Sequence, residues 1–553
     1  MSNIMIGGAA GMGIETTAEL LEKTIKRAGY SVLSIRDVMS RVRGGHNFIS
    51  MRFDTSRVLS HSKNYDVIAA FDQASIDAHK EDMESAGIIL CDSKLNSPEG
   101  ALLIPFAELA KEIGNPKTEG IIIAGVILKL FGIEQELAES VLQEVMKPGL
   151  LEVNKVALNK GYHEVETRFD LPKGELEDHI ILSGNQAIGL GAVAAGVNFY
   201  SQYPMSPSTS IMEYIASVGE RAGIVVEQAE DEIAGINMAL GASSAGARAM
   251  TSTSGGGFCL KVEGIGFAGI AEIPIVAVDV MRPGPATGLP TRTEQSDLKF
   301  VISASQGEFQ RMVIAVRSHE DAVYAAFRAF QMAEKHQIPV ILLSDQYLAD
   351  SHATIPMINF EGMENIYPDL TFDGEEYLRY QVTESGVSPR LVPGKTKGLV
   401  CVDSDEHDEK GWIVESSHER IIMADKRERK MTGIRNDLIE PEFTGEEEPD
   451  VLFIGWGSTC GPIAEAVTIL NKGSDKKFAA LSFGDVFPLP KEKLEKYSKI
   501  ASVRINVEQN ATGQLAGLIC EYTGITMDGS ILKYDGRQLS GEEIAERFQE
   551  RSF

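Results

Sequence analysis

The chain has 553 residues, 43% of them hydrophobic and 24% charged, with a formal net charge of −28. At about 100–200 residues per domain, this length predicts three or four domains with sizeable cores. No uncharged run approaches the ~20 apolar residues of a membrane span, and the acidity excludes a broad nucleic-acid surface, which needs clustered Lys and Arg. Five cysteines, Cys91, Cys259, Cys401, Cys460 and Cys520, stand far apart, with no C-x-x-C pair and no histidine at ligand spacing. Neither zinc nor an iron–sulfur cluster is expected in this chain, and no metal ligand is assigned. The N-terminus lacks the basic segment and apolar core of a leader peptide, so a cytoplasmic, unprocessed chain is expected.

The first segment opens with Ile4-Met5-Ile6, then the turn Gly7–Gly13 and a helix over about 15–28. Strands follow at Ser31–Arg36, Phe48–Arg52, Val67–Ala70 and Gly87–Cys91, and helices at 119–132 and 134–146. This pattern predicts an α/β domain over 1–168. The proline- and glycine-bearing stretch at 169–180 reads as a linker. A second domain, 181–355, alternates small-residue helices with continuous apolar strands such as Ile273–Val278 and Pro339–Leu343, the mark of a parallel sheet covered on both faces. Residues 356–446, charged and aromatic, read as an arm. Strand Val451–Trp456, helix 461–472, strands 479–483 and 502–507 and a helix at 541–551 make a third, smaller α/β domain over 447–553.

Between strand and helix, the GGAAGMG loop holds Gly11 and Gly13 where backbone N–H groups and the helix dipole favour a phosphate; a tight turn alone explains it equally. Arg41 and Arg43, beside Gly44-Gly45, add cationic donors, or else lie in a solvated loop. In the second domain Tyr203-Pro204-Met205-Ser206-Pro207 holds a hydroxyl between two prolines that stiffen it at a strand end. Ser206 is either a ligand-facing hydroxyl or the N-cap of the next helix, and the two roles are compatible.

Glu227, Glu230, Asp231 and Glu232 crowd a helix start. The dipole accounts for one or two of them, but the small, apolar helix that follows suggests a carboxylate held to accept a hydrogen bond from a cofactor. Thr253, Ser254 and Gly255 lead a triple-glycine turn that permits close backbone approach, or simply joins strand to helix. Arg282 and Arg292 lie in a turn-rich stretch where a guanidinium fork suits a carboxylate; an ion pair with Glu294 or Asp297 is the alternative for Arg292.

At these residues the chain resembles the α subunit of the 2-oxoacid:ferredoxin (acceptor) oxidoreductases, in the form with a γ domain fused at its N-terminus. YPMSPST (203–209) is similar to that family's YPITPS, and the run from Gln228 to Gly257 resembles its thiamine-facing core. GLPTRTEQSDL (288–298) resembles its substrate loop, SPRLVPG and EHDEKG its interdomain arm, and NVEQNATGQLAG (506–517) its C-terminal domain. Ser206 stands for the usual threonine, Met205 for isoleucine, and Gly256 and Cys259 for the common proline and serine.

The resemblance implies three parallel-sheet domains: a γ-type domain, a pyrimidine-binding thiamine diphosphate domain and a transketolase C-terminal-like domain. It implies a thiamine diphosphate site shared with a β subunit that carries Mg²⁺ and a [4Fe–4S] cluster. This chain has no G-D-G with a distant asparagine for the diphosphate and metal, so it is expected to be inactive alone. Glu232 would protonate the aminopyrimidine ring nitrogen, Ser206 would position the substrate and Arg292 would hold its carboxylate. Tyr203, Pro204, Pro207, Thr253, Ser254 and Gly255 would line the cofactor, while Gly11, Gly13, Arg41 and Arg43 would contact coenzyme A.

The implied reaction is coenzyme A-dependent oxidative decarboxylation of a 2-oxoacid, foremost 2-oxoglutarate to succinyl-CoA, with ferredoxin as acceptor, in a dimer of αβ heterodimers. The alternatives are pyruvate or branched-chain or aryl 2-oxoacids as substrates, or a non-catalytic nucleotide- or coenzyme A-binding scaffold. A self-sufficient thiamine-dependent decarboxylase or transketolase fails on the missing diphosphate motif.

Overall fold

The computed structural model describes residues 1–39, 44–368, 376–395 and 397–551. It divides into two compact units, Met1–Ser183 with Asp350–Ile358, and Gly184–Ala349 with Asn359–Phe553. The expected α/β architecture with three sheets is present.

The first unit is built on an eight-stranded sheet in the order Leu102–Ile104, Met83–Asp92, Tyr65–Ala70, Ser2–Ala10, Gly44–Asp54, Ser31–Asp37, His352–Ile355, Ile180–Ser183. The first four strands are parallel and the remainder antiparallel. Two of these strands, Ile180–Ser183 and His352–Ile355, sit at either end of the stretch read as a second domain, yet they pair with each other in the first sheet. Short apolar runs announce strands but not which sheet takes their edge. Helices Glu119–Leu130 and Leu151–Tyr162 cross so closely that a Cβ on Gly161 would lie 2.8 Å from the carbonyl carbon of Ile122. The stretch at 169–180 is stitched down along its length. The Phe169 amide donates to the Leu130 carbonyl, Tyr30 Oη to the Pro172 carbonyl, and the Leu176 amide to the Gly29 carbonyl.

The second unit holds two sheets. The larger runs Asp485–Phe487, Met312–Ala315, Pro339–Asp345, Ile275–Met281, Ala249–Thr253, Phe199–Gln202, Val225–Gln228, all parallel except the first pair. Every residue of Ile275–Met281 and Pro339–Asp345 is buried, as expected for central strands covered on both faces. The smaller sheet runs Glu442–Gly445, Phe478–Phe483, Val451–Trp456, Val503–Glu508, Gly529–Leu532, parallel beyond its first strand. One apolar core joins the two, with Leu343, Trp456, Phe483 and Leu515 all in it.

The segment read as an arm contains the 20-residue helix Ser417–Asn436. Its buried face carries Lys426, Arg427 and Lys430 beside Met423 and Ile434, so hydrophobic periodicity did not reveal it. The cations are there for Glu272, fully buried with φ 51°. Lys426 Nζ lies 2.6 Å from Glu272 Oε1 and Lys430 Nζ 2.5 Å from Oε2, while Arg379 donates to the Glu272 carbonyl at 2.7 Å. Against a burial penalty, Lys430, Lys426 and Arg379 hold the Glu272 carboxyl down at about 2. Among the described residues no helix is long and apolar enough to cross a membrane.

Candidate active site at the strand ends of the second unit

Parallel strands leave their C-terminal ends facing one way, and an open α/β sheet collects ligands there. Strands Phe199–Gln202, Val225–Gln228, Ala249–Thr253 and Ile275–Met281 deliver four loops to that edge, and the side chains interlock. Tyr203 is exposed, as is Ser206. The main chain at the end of this loop is clamped: Arg282 Nη1 donates to the Ser206 carbonyl at 2.6 Å and Asn185 Nδ2 to the Pro207 carbonyl at 2.8 Å. Helix Thr209–Ala222 is preceded by Ser208, which makes no side-chain cap. Its hydroxyl instead accepts from Gln202 Nε2 at 2.8 Å and donates to the Met205 carbonyl. Ser206 is therefore not the N-cap, and its hydroxyl is left for another use.

Glu232 is the first residue of helix Glu232–Ser244 and is buried. The cap itself is Asp231, whose Oδ1 accepts the Ala234 amide at 2.7 Å. The acidic run thus splits into one carboxylate that closes the helix and one that turns inward. The inward one lies over the glycine turn: a Cβ on Gly257 would come within 2.5 Å of Glu232 Oε1, and closer still to Thr253 Oγ1. Gly256 faces Met205 Cε at 3.3 Å, and a Cβ on Gly255 would meet Asp297 Cγ at 3.0 Å. Glu232, Met205, Thr253 and Asp297 therefore all close on the turn Gly255–Gly257, which opens helix Gly255–Ile270.

Two buried polar groups at this edge have no hydrogen-bond partner among the described residues, Ser254 Oγ and both oxygens of Asp279. Asp279 lies directly across from Thr253 in the strand register. Burial, with the nearby charge of Asp297, raises its carboxyl well above the usual carboxylate range. Asp297 is raised to about 6 by burial and by Glu294. Sequence reasoning missed Asp279, although a lone charge inside the apolar run Ile275–Met281 is a visible signal. It missed Lys261 too, the one cation on the buried face of helix Gly255–Ile270, recognisable from its spacing to Gly257, Gly264 and Ile265.

Arg292 sits in a loop pinned to the smaller sheet. The Gln295 amide donates to the Gln509 carbonyl at 2.7 Å, Asn510 Nδ2 donates to the Gln295 carbonyl at 3.0 Å, and the Thr293 amide reaches the Gly536 carbonyl. The Arg292 Cβ stands 3.1 Å from where Gly536 would carry one, and its Nη1 is 3.5 Å from the Thr291 carbonyl. Arg282 is buried and bonded to the Tyr203–Pro207 loop rather than free to meet a carboxylate there.

In the first unit Gly11 and Gly13 are exposed, with φ 96° and 88°, and a Cβ at either would meet nothing within 4 Å. Gly13 caps helix Ile14–Arg27, whose first turn carries Glu15. Arg41 and Arg43 lie outside the described residues.

Comparison with known proteins fits this arrangement. Residues 190–426 match the family model described as pyruvate flavodoxin/ferredoxin oxidoreductase, thiamine diP-bdg, and residues 3–164 match pyruvate ferredoxin/flavodoxin oxidoreductase. The α subunit of a 2-oxoacid:ferredoxin oxidoreductase from Sulfolobus sp is 33% identical over 98% of this chain and 95% of its own. The 2-oxoglutarate oxidoreductase subunit KorA of Mycobacterium tuberculosis is 28% identical over 92% of this chain and 86% of its own. Among solved structures, 2-oxoglutarate:ferredoxin oxidoreductase from Magnetococcus marinus, with 2-oxoglutarate, coenzyme A and succinyl-CoA bound, superposes with a TM-score of 0.92. It is 31% identical and covers 99% of both chains. With a clamped glycine turn at the strand ends and full-length similarity, the chain belongs to the 2-oxoacid:ferredoxin oxidoreductases as an α subunit.

Proposed function

We propose that the chain forms the aminopyrimidine half of a thiamine diphosphate site for coenzyme A-dependent oxidative decarboxylation of 2-oxoglutarate, completed by a β subunit. The observation that carries this reading is the Glu232 carboxylate lying over Gly257 at a strand-end turn lined by Thr253 and the unpartnered Ser254. That donor set suits a flat, polar heterocycle: a carboxyl for a ring nitrogen, a turn without side chains for the ring face, and the spare Ser254 hydroxyl for its edge.

Thiamine diphosphate, when bound, supplies the nucleophilic carbon that attacks the 2-oxo group and allows CO₂ to leave. Glu232 holds a proton toward the ring nitrogen, and its place on a helix start fixed by the Asp231 cap limits its motion. Thr253, Ser254 and Gly255 bring backbone close to the ring, with Tyr203, Pro204 and Pro207 beside them. Ser206 orients the substrate and Arg292 takes its carboxylate through a guanidinium fork. Gly11 and Gly13, with Arg41 and Arg43, serve coenzyme A. A β subunit would supply Mg²⁺ for the diphosphate and a [4Fe–4S] cluster for electron transfer toward ferredoxin, in a dimer of αβ heterodimers in the cytoplasm.

Support for 2-oxoglutarate comes from the relatives whose names specify it. The test is reconstitution with a β subunit, followed by a panel of 2-oxoacids with coenzyme A and ferredoxin. Turnover requiring both chains, with 2-oxoglutarate preferred, is expected; turnover by this chain alone, or preference for pyruvate or branched-chain acids, would overturn the corresponding part.

A further inference from the structure

Lys261 is fully buried in helix Gly255–Ile270 and belongs to none of the motifs above. Its ammonium donates to Thr251 Oγ1 at 2.8 Å and to the main-chain carbonyl of Glu232 at 3.3 Å. It also lies 3.4 Å from the position a Cβ would take on Gly235, so the facing helix is bare of side chain where the ammonium arrives. A cation under the first turn of a helix is opposed by the helix dipole, and a buried ammonium is costly unless bonded and paired. Its survival there calls for a compensating charge. The charged groups facing it are Glu232 and Asp231 on the facing helix; from the sheet comes the Thr251 hydroxyl.

We propose that Lys261 is the positioning residue of Glu232, holding the first turn of its helix by the main-chain carbonyl and placing a buried positive charge beneath it. The proposal rests on the assignment of Glu232 as the group that addresses the cofactor ring. Burial lowers the Lys261 ammonium to about 8, against the opposing pull of Glu232 and then Asp231. Its charge is therefore present at neutral pH and lost in mildly alkaline solution. With the charge gone, the first turn of the Glu232 helix loses its charged donor.

The test uses the reconstituted complex without substrate and follows deuterium exchange at the reactive carbon of bound thiamine diphosphate as a function of pH, beside kcat and KM for the 2-oxoacid. Wild type should show a transition near pH 8. K261M should abolish that transition and slow exchange at pH 7 by about tenfold or more with KM little changed. T251V, close in volume, removes a bond made to the charged form and should move the transition down by about half a unit. If K261M does not fold, T251V carries the test. Superimposable profiles for wild type and the Lys261 and Thr251 variants would overturn the proposal. E232Q separates the two claims: wild-type exchange in E232Q would remove the underlying assignment, whereas loss of exchange in E232Q with the transition unmoved in T251V and K261M would remove Lys261 alone.

Discussion

The Glu232 carboxylate lies against the backbone of Gly257, so close that a methyl group there would come within 2.5 Å of Oε1. A glycine four residues past the end of strand Ala249–Thr253 is thus required by a carboxylate on another helix. The motif TSTSGGG and the acidic run VEQAEDE, separate in sequence, are two sides of one contact.

Gly257→Ala should displace Glu232 or Thr253 and cut thiamine-dependent turnover by about 100-fold or more, since removing one aligned group at a reacting centre costs that much. Gly256→Ala, whose new methyl meets only Met205 Cε at 3.3 Å within van der Waals range of a side chain, should keep most activity. Steady-state kinetics of the two complexes checks the contrast; equal losses would contradict the geometry.

The two arginines should separate. Arg292→Met should raise KM for the 2-oxoacid by about 10- to 100-fold, the expected loss of a charge-assisted carboxylate contact. Arg282→Met instead frees the Ser206 carbonyl that Arg282 holds at 2.6 Å. Its expected effect is a fall in kcat with a smaller change in KM, because it orients the loop. Identical signatures would place both in the same role.

At Glu272 the prediction is asymmetric. Glu272→Gln strands Lys426 and Lys430 in the interior and should destabilise by about 3–5 kcal/mol, the usual cost of breaking a buried charge cluster from one side. Lys426→Met leaves Lys430 on the carboxylate and Arg379 beside it. With burial already lowering the Lys426 ammonium to about 7, this change should cost about 1 kcal/mol or less. Chemical unfolding of the chain at pH 7 distinguishes them.

Asp297 gives a pH signature. Its folded-state carboxyl is raised to about 6 from an ordinary 3.8 by burial and Glu294. A raised acid contributes stability that is fully present below the unfolded pKa and is lost as pH rises from about 4 to about 6. Asp297→Asn removes that loss, so the variant should exceed wild type in stability at pH 7 by about 1–3 kcal/mol and lose its advantage below pH 4. Unfolding at pH 4 and pH 7 checks the sign.

Much of the scaffold was legible in the sequence because apolar runs of four to eight residues bounded by glycine and proline are unambiguous. Val451–Trp456 is a strand with both ends as read, and the helices predicted at about 15–28 and 134–146 are Ile14–Arg27 and Gln135–Val145. Helix Ser417–Asn436 was hidden because its inner face is built of lysines bonded to a distant glutamate. Pairing of Ile180–Ser183 with His352–Ile355 was hidden because edge partnership is set by tertiary packing. At the site, Ser206, Glu232 and the glycine turn stood out by motif, and the structure joins Glu232 to the turn. Lys261 and Asp279 escaped because each is a single polar residue in an apolar element, meaningful only when its burial is known.

The central claim is that Glu232 activates a cofactor shared with another polypeptide. The most direct measurement is turnover and thiamine diphosphate binding of the reconstituted complex carrying Glu232→Gln. Retained cofactor binding with kcat lowered by about 100-fold or more is predicted, in line with loss of a positioned acid–base group; undiminished kcat would contradict it.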